Sequence, residues 1–223
     1  MTQFEITPTA GNEGMAGLVH DMRNYIQIAM SAVTIMSRHA DVLSSDGLRS
    51  MVSHAADSLE RASDIARRSG EMPVDEVSLD TCLTQISALL RYACGPNIRI
   101  RMLVGLVPRI RCSCLGLQNA ILNLALNARD AMPVGGTLTI SALLANGPEL
   151  PEIELVVADT GHGMAPYVLE RAFEPHFTTK PLGVGHGMGL AGVRRFAESV
   201  GGRTRIDSKE GTGTSVILRL PAA

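Results

Sequence analysis

The chain has 223 residues, a formal net charge of −2, 45% hydrophobic residues and only 3% aromatics. That apolar fraction suits a folded chain with room for one large domain or two modest ones. The near-neutral balance and the absence of a basic run argue against a dedicated nucleic-acid binder, no apolar run approaches the roughly 20 residues of a membrane span, and Met1 to Gly14 lacks a basic-then-apolar leader, so the expected location is cytoplasmic.

Residues 1–14 are polar and rich in Gly, Pro and Thr, and read as a loose arm. From Met15 to His39 an apolar stripe (Leu18, Met22, Tyr25, Ala29, Ala32, Met36) advances in alternating fours and threes, the pattern of a helix packed in a bundle. A polar connection, Ala40 to Asp46, leads to a second helix, Gly47 to Arg68. Its stripe is Leu48, Val52, Ala55, Leu59, Ala62 and Ala66. Residues 15–70 thus read as an antiparallel helical hairpin. A lone hairpin cannot cover its own apolar face, whereas two copies forming a four-helix bundle would, so a homodimer is expected. Gly70 ends the second helix, Pro73 prevents its resumption, and residues 71–75 are a linker.

At roughly 100° per residue, His20 points away from the apolar stripe, with Asn24 one turn along. A solvated surface histidine is the plain reading. Yet Asp21 follows directly, and a carboxylate there can accept from Nδ1–H and leave the Nε2 lone pair outward and nucleophilic. Asn24 at i+4 places an amide beside the same ring edge.

Residues 76–223 mix element types. Helices are expected over Ser78 to Ala93, Leu115 to Met132, Val168 to Ala172 and Met188 to Ser199. Strands are expected over Asn97 to Val104, Arg109 to Ser113, Thr137 to Leu144, Glu152 to Ala158, Thr204 to Ile206 and Ser215 to Leu220. Such runs suggest an α+β sandwich, one sheet backed by helices. Cys82, Cys94, Cys112 and Cys114 make neither a disulfide framework nor a zinc knuckle, and read as reduced packing residues.

Several clusters on this scaffold carry chemistry. Asn123, Asn127 and Asp130 fall at i, i+4 and i+7, on one helix face. Their oxygens suit Mg²⁺, which keeps waters and takes substrate phosphate oxygens; a solvent-facing polar stripe is the alternative. Asp159-Thr160-Gly161-His162-Gly163 follows an apolar strand. A carboxylate at a strand end can accept from an exocyclic amine such as adenine's, and glycines let backbone approach a base closely; an ordinary Asp-Gly turn reads the same way. Gly183, Gly185, Gly187 and Gly189 alternate before a helix, a setting for an anion site or simply a flexible loop. Between them, Arg171 to Pro181 reads as a lid segment whose Lys180 can reach phosphates. Gly211-Thr212-Gly213-Thr214 precedes the last strand.

Together these stretches resemble a family. "LNLALNARDAMPVGGTLTI", "VADTGHGM", "RAFEPHFTTKP", "GVGHGMGL" and "GTGTSVILRLP" stand in the order and spacing of two-component sensor histidine kinases. The ATP-binding domain of that family resembles those of DNA gyrase, a heat-shock chaperone and a mismatch-repair ATPase, and the likeness covers about residues 15 to 221. The resemblance implies a helical hairpin forming a dimeric four-helix bundle, followed by an α+β sandwich of the GHKL/Bergerat ATP-binding type over residues 76–223. His-Asp-x-x-Asn at His20, Asp21 and Asn24 is similar to the phosphorylated stretch of the family's soluble members. On that likeness His20 Nε2 attacks the γ-phosphate of ATP, Asp21 orients the imidazole, and Asn24 helps place the phosphoryl group or a water. Asn127 binds Mg²⁺ with Asn123 and Asp130 beside it, and Asp159 reads adenine. Gly161, Gly163, Gly185, Gly187 and Gly189 shape the pocket and its hinges, with Lys180 and Thr214 lining it.

The resemblance also implies phosphotransfer in trans to an aspartate of a response regulator and an accompanying phosphatase activity. No sensor or receiver stretch is readable, so the signal is expected through a partner such as a separate sensor protein, through the short N-terminal arm, or from regions outside this sequence. His176 stands where the family usually has Phe, which implies looser lid packing, and Met188 replaces a usual Leu. Two other readings compete. One is a histidine phosphotransfer and docking module with a vestigial ATP-binding domain. The other is a different ATPase of the superfamily, such as a topoisomerase or chaperone fragment or an anti-sigma serine kinase.

Overall fold

The computed structural model describes residues 76–146, 151–180, 187 and 189–223, and eleven single positions between Ala29 and Ala62. Of those eleven, Ala29, Val33 and Met36 are helical, as are Gly47, Leu48, Met51, Val52, Ala55, Leu59 and Ala62; Ser45 precedes the second group and its Oγ accepts from Leu48 N at 3.4 Å. Among the described residues no helix is long and apolar enough to cross a membrane.

From Glu76 onward the elements run β1 (Glu76–Val77), α1 (Leu79–Cys94), β2 (Ile98–Val104), β3 (Ile110–Arg111), α2 (Cys114–Ala131), β4 (Gly136–Ala145), β5 (Glu152–Asp159), α3 (Pro166–Arg171), α4 (Gly189–Ser199), β6 (Arg203–Lys209) and β7 (Gly213–Pro221). The long helices begin where a hydroxyl can satisfy a free backbone donor. Ser78 Oγ accepts from Thr81 N at 3.5 Å, and Ser113 Oγ accepts from Gly116 N at 3.3 Å. Helix α1 stops at Gly95, whose φ of 78° lets its N–H turn back to Arg91 O.

Five strands form one sheet in the order β2-β4-β5-β7-β6, parallel between β2 and β4 and antiparallel elsewhere. The parallel pair needs a crossover, which α2 supplies. A two-stranded ladder, β1 with β3, lies apart and closes onto the C-terminus through a bridge from Ile110 to Ala222. The alternation of β4, β5 and β7 sends Leu138, Ile140, Ile153, Leu155, Leu218 and Leu220 into one core beneath the helices. Each such side chain contributes about 1.5–3 kcal/mol by leaving water. The result is a two-layer α/β sandwich. On β5, Glu152 is only 7% exposed, and Arg203 on β6 holds it with two bonds of 2.6 and 2.9 Å.

Helix α2 is the pivot of the helical layer. It packs against α1, α4 and the sheet, and Leu117, Ile121, Leu122, Leu124, Ala125 and Leu126 are all buried along it. A helix enclosed on so many sides leaves only a narrow strip for polar groups. Its N-terminal end departs from the expectation of reduced cysteines: Cys114 is bonded to Cys82 of α1, with Cα atoms 6.0 Å apart. Sequence spacing does not reveal that α1 and α2 lie side by side with their starts aligned. Cys94 and Cys112 are free and buried, as expected.

Candidate nucleotide site

The polar strip on α2 is where the asparagines fall. Asn123, Asn127 and Asp130 are half-buried within a stretch whose intervening positions are otherwise mostly buried. Gly189, the first residue of α4, sits directly over the middle one. A Cβ placed on Gly189 would lie 3.4 Å from Asn127 Nδ2. The first turn of α4, with its positive dipole end, therefore faces the Asn127 amide.

Asp159 ends β5, opposite Leu138 of β4 and Thr214 of β7. Its Oδ1 accepts from Gly161 N at 2.8 Å and from Thr214 N at 3.3 Å. Burial pushes the carboxyl above the ordinary carboxylate range, while the two backbone donors and nearby His162 pull the other way. The turn that follows is stitched to α2 and to the β6–β7 corner. Gly161 is pressed against Ala131, where a Cβ would come within 2.6 Å of the carbonyl oxygen, and His162 N donates to that same oxygen at 3.0 Å. His162 Nδ1 lies 2.7 Å from Gly163 O, which places the ring proton on Nδ1. Gly163 has a φ of 67° and backs onto the Lys209 carbonyl. Below it, Ser208 Oγ accepts from Met164 N at 2.9 Å and meets Thr214 Oγ1 at 2.9 Å.

The segment after α3 is held differently. The Arg171 guanidinium lies 4.3 Å from the Phe177 ring centre and bonds Glu174 at 2.9 Å, and Arg194 of α4 lies 5.4 Å from Phe173. His176 N donates to Gly187 O at 3.0 Å. His176 itself has a φ of 64°, and Gly187, at 66°, is packed against its backbone. Lys180 Nζ forms an ion pair with Asp130 Oδ2, while Asp130 Oδ1 accepts from Arg129 at 3.0 and 2.8 Å. Arg129 in turn donates to Ala93 O at 3.0 Å, tying the end of α2 to the end of α1. A cavity of about 330 Å³ between those helix ends meets the site at Asp130.

The arrangement suits a purine nucleotide. Asp159 has one oxygen fixed by backbone, and among the described residues Oδ2 takes no bond. A fixed carboxylate at the head of a strand, flanked by a side-chain-free backbone, can accept from an exocyclic amine. The Asn127 carboxamide and the first turn of α4 can serve phosphates and their counter-cation. Among the described residues no three His, Cys, Asp or Glu side chains gather as a metal site. A divalent cation at Asn127 would thus rely on phosphate oxygens and waters, the habit of Mg²⁺.

The family described as histidine kinase-, DNA gyrase B-, and HSP90-like ATPase matches residues 114–223. Sensor kinase CckA of Brucella abortus (strain 2308) is 32% identical across 92% of this chain. Sensor histidine kinase ZraS of Salmonella typhi is 31% identical, again across 92%. The chain belongs to the two-component histidine kinases, with a GHKL-type ATPase domain. It spans 23% of the length of the first relative and 44% of the second. Among solved structures, the mycobacterial sensor histidine kinase MprB superposes with a TM-score of 0.55 at 25% identity, covering 67% of this chain and 97% of that one. Full-length ShkA in complex with AMPPNP gives 0.59 at 24% identity over 98% of this chain and 47% of that one, a likeness that bears on the fold alone.

In this chain the structure brings Asn127 beside Gly189, and Asp159 beside Gly161 and Thr214. Lys180 pairs with Asp130. Asn123 lies on the same α2 strip, two turns before Asp130. His20, Asp21, Asn24, Gly185 and Met188 lie outside the described residues. Three participants were not singled out from sequence. Ser208 and Thr160 act through register: Ser208 faces Thr214 across β6 and β7, and Thr160 Oγ1 accepts from Thr137 N at 3.0 Å. Arg129 stood inside a quoted motif but bonds α1, a partner that its own helix does not reveal.

Proposed function

We propose that the chain is an ATP-dependent, autophosphorylating histidine kinase. The observation that carries this is Asp159: a carboxylate at a strand end, held by two backbone donors beside Gly161 and next to the α2 strip. In this reading Asp159 Oδ2 accepts from the adenine amine, and Gly161 and Gly163 admit the base. Thr214, buried behind Asp159, fixes the carboxylate through its N–H. Asn127, with Asn123 near it, would hold Mg²⁺, which would supply positive charge to offset that of the phosphates. Gly185, Gly187 and Gly189 form the phosphate-side loop, and Lys180 reaches the phosphates from the lid.

His20 is the acceptor. Its Nε2 lone pair attacks the γ-phosphorus in line, the phosphorus–oxygen bond to ADP breaks, and Asp21 holds the Nδ1 proton so that Nε2 stays the nucleophile. Asn24 places the phosphoryl group. Residues 15–70 form the hairpin that presents His20, joined by residues 71–75 to the ATP-binding domain, and two copies pair through it. The helical state of Ala29, Met36, Leu48, Val52, Ala55, Leu59 and Ala62, all on the two stripes, supports the hairpin. Exposure of Met36 at 52% and Met51 at 71% supports a second copy as their cover. The phosphoryl group then passes in trans to an aspartate of a response regulator, and the same histidine stretch supports dephosphorylation. A separate sensor protein is one source of the signal, beside the short arm and regions outside this sequence, and use of ATP points to the cytoplasm.

Incubation with γ-labelled ATP and Mg²⁺, wild type beside His20→Ala, tests this. Label that is acid-labile and alkali-stable in the wild type and lost in the variant is expected. Nucleotide binding without any label would sink the autokinase reading and leave a phosphotransfer module with a vestigial ATP-binding domain.

A further inference from the structure

Two of the four cysteines differ from the others in kind. Cys94 and Cys112 are enclosed in the core, and burial pushes their thiols up to about 11 and about 12. Such thiols stay protonated and inert. Cys114 is the first residue of α2, directly after its Ser113 cap, and is half-buried. Its sulfur thus sits at the positive end of the α2 dipole. Its Sγ lies 3.6 Å from Oε1 of Gln85, an exposed residue, so the sulfur sits at a polar margin of the domain. Its partner Cys82 lies in the first turn of α1 and is fully buried. The Cα separation of 6.0 Å is in the range a disulfide spans without backbone movement.

We propose that Cys114 and Cys82 form a reversible thiol–disulfide couple, with Cys114 as the entry nucleophile and Cys82 as the resolving thiol. The oxidant is a low-molecular-weight disulfide such as oxidised glutathione. The Cys114 thiolate attacks one of its sulfurs, giving a mixed disulfide and releasing one thiolate. Cys82 then loses its proton to solvent and attacks Cys114 Sγ, expelling the second thiolate. Two protein thiols lose two electrons, and one small disulfide becomes two small thiols. The product ties the start of α2 to the start of α1. The far ends of the same helices are already joined by Arg129 on the Ala93 carbonyl. Closure of the bridge therefore clamps the α1–α2 pair at both ends, and reduction releases one of them. Since α2 carries the polar strip of the site, the redox state sets how firmly that strip is held.

The test uses the full chain, native, in glutathione buffers stepped from reduced to oxidised, with free thiols trapped by alkylation and mapped by mass spectrometry. Free thiols should fall from four by the two of a Cys82–Cys114 crosslink. Return to reduced buffer should restore them, and the oxidised form should melt about 5–15 °C higher. Cys82→Ala should trap the glutathione adduct on Cys114, whereas Cys114→Ser should take up none. Four free thiols at every ratio, a Cys82→Ala protein left unmodified, or a bridge that excess reduced glutathione leaves intact would each overturn the proposal. Because the readout is thiol chemistry, its failure is separate from failure of the kinase reading.

Discussion

Asp159 and Lys180 both converge on the C-terminal half of α2, but they are held there by different means. Asp159 is fixed by three adjacent strands, two backbone donors and a turn whose glycine packs against Ala131. The Lys180 side chain meets Asp130 in an ion pair, each partner about 25% exposed. The first arrangement moves only if the sheet moves. The second can let go by rotating a lysine side chain, and a partly exposed ion pair contributes on the order of 0–1 kcal/mol. On the proposed reading the base is read by the rigid side and the phosphates are handled by the adjustable one. That division suits a kinase that must keep its nucleotide in register while releasing product.

The sharpest way to break the comparison is at its rigid end. Asp159→Asn keeps an oxygen for Gly161 N and Thr214 N but puts a donor where the adenine amine must find an acceptor. ATP affinity measured by calorimetry should fall about 100-fold, near 3 kcal/mol. The melting temperature should hold or rise, because burial penalises the native carboxylate charge. The same residue yields two opposed pH trends. Its folded-state pKa is raised, so the native state holds the proton more tightly than the unfolded chain. Its contribution to stability is therefore present at low pH and lost as pH rises through the folded value. ATP binding runs the other way and weakens as pH falls through that same value. Both trends should be missing from Asp159→Asn.

Asn127→Ala probes the meeting point of the two sides. Loss of the carboxamide oxygen should reduce Mg²⁺-dependent labelling of His20 about 100-fold, a few kcal/mol. Affinity for ADP without Mg²⁺ should stay within about threefold, since the base contacts are untouched. An equal loss with and without the ion would remove Asn127 from the metal role. Gly187→Ala acts on the adjustable side. Its φ of 66° and its packing against His176 leave no room for a Cβ, a strain of about 1–3 kcal/mol. The outcome should be a roughly tenfold weaker ATP affinity, with adenosine affinity unchanged and the domain still folded.

Much of this layout was legible before the structure. Alternation placed β4 and an apolar run placed β5, and the Ser78 cap falls where the first helix of this domain was expected to begin; Ser113, expected to end a strand, instead caps α2, which starts at Cys114, one residue before the expected Leu115. The strip Asn123, Asn127, Asp130 was visible because helical spacing alone puts those residues together. Contacts between elements were not visible. The bonding of Asp130 to Lys180, fifty residues away, depends on how the segment after α3 folds back. Lys180, expected to reach phosphate, is seen in the structure in contact with Asp130. The substitution of His176 for the family's Phe implied loose packing, yet its backbone is anchored to Gly187. Strand β1 escaped notice because two residues, Glu76 and Val77, are too short to show a period.

The smallest effect belongs to the ion pair itself, and it decides whether the lid is held by Asp130 or merely parked there. Asp130→Asn removes the charge that both Lys180 and Arg129 face. Arg129 keeps its bond to the Ala93 carbonyl, so the join between α1 and α2 should survive. Lys180, released, gains freedom to meet phosphate. If the phosphates compete with Asp130 for this lysine, ATP affinity should tighten about threefold, within the range of a partly exposed charge pair. The gain should fade as salt screens the attraction, and adenosine, which has no phosphate, should show none of it. A loss of affinity shared by ATP and adenosine would mean the opposite: that the pair braces the site as a whole, and that the two sides of the site are less independent than their bonding suggests.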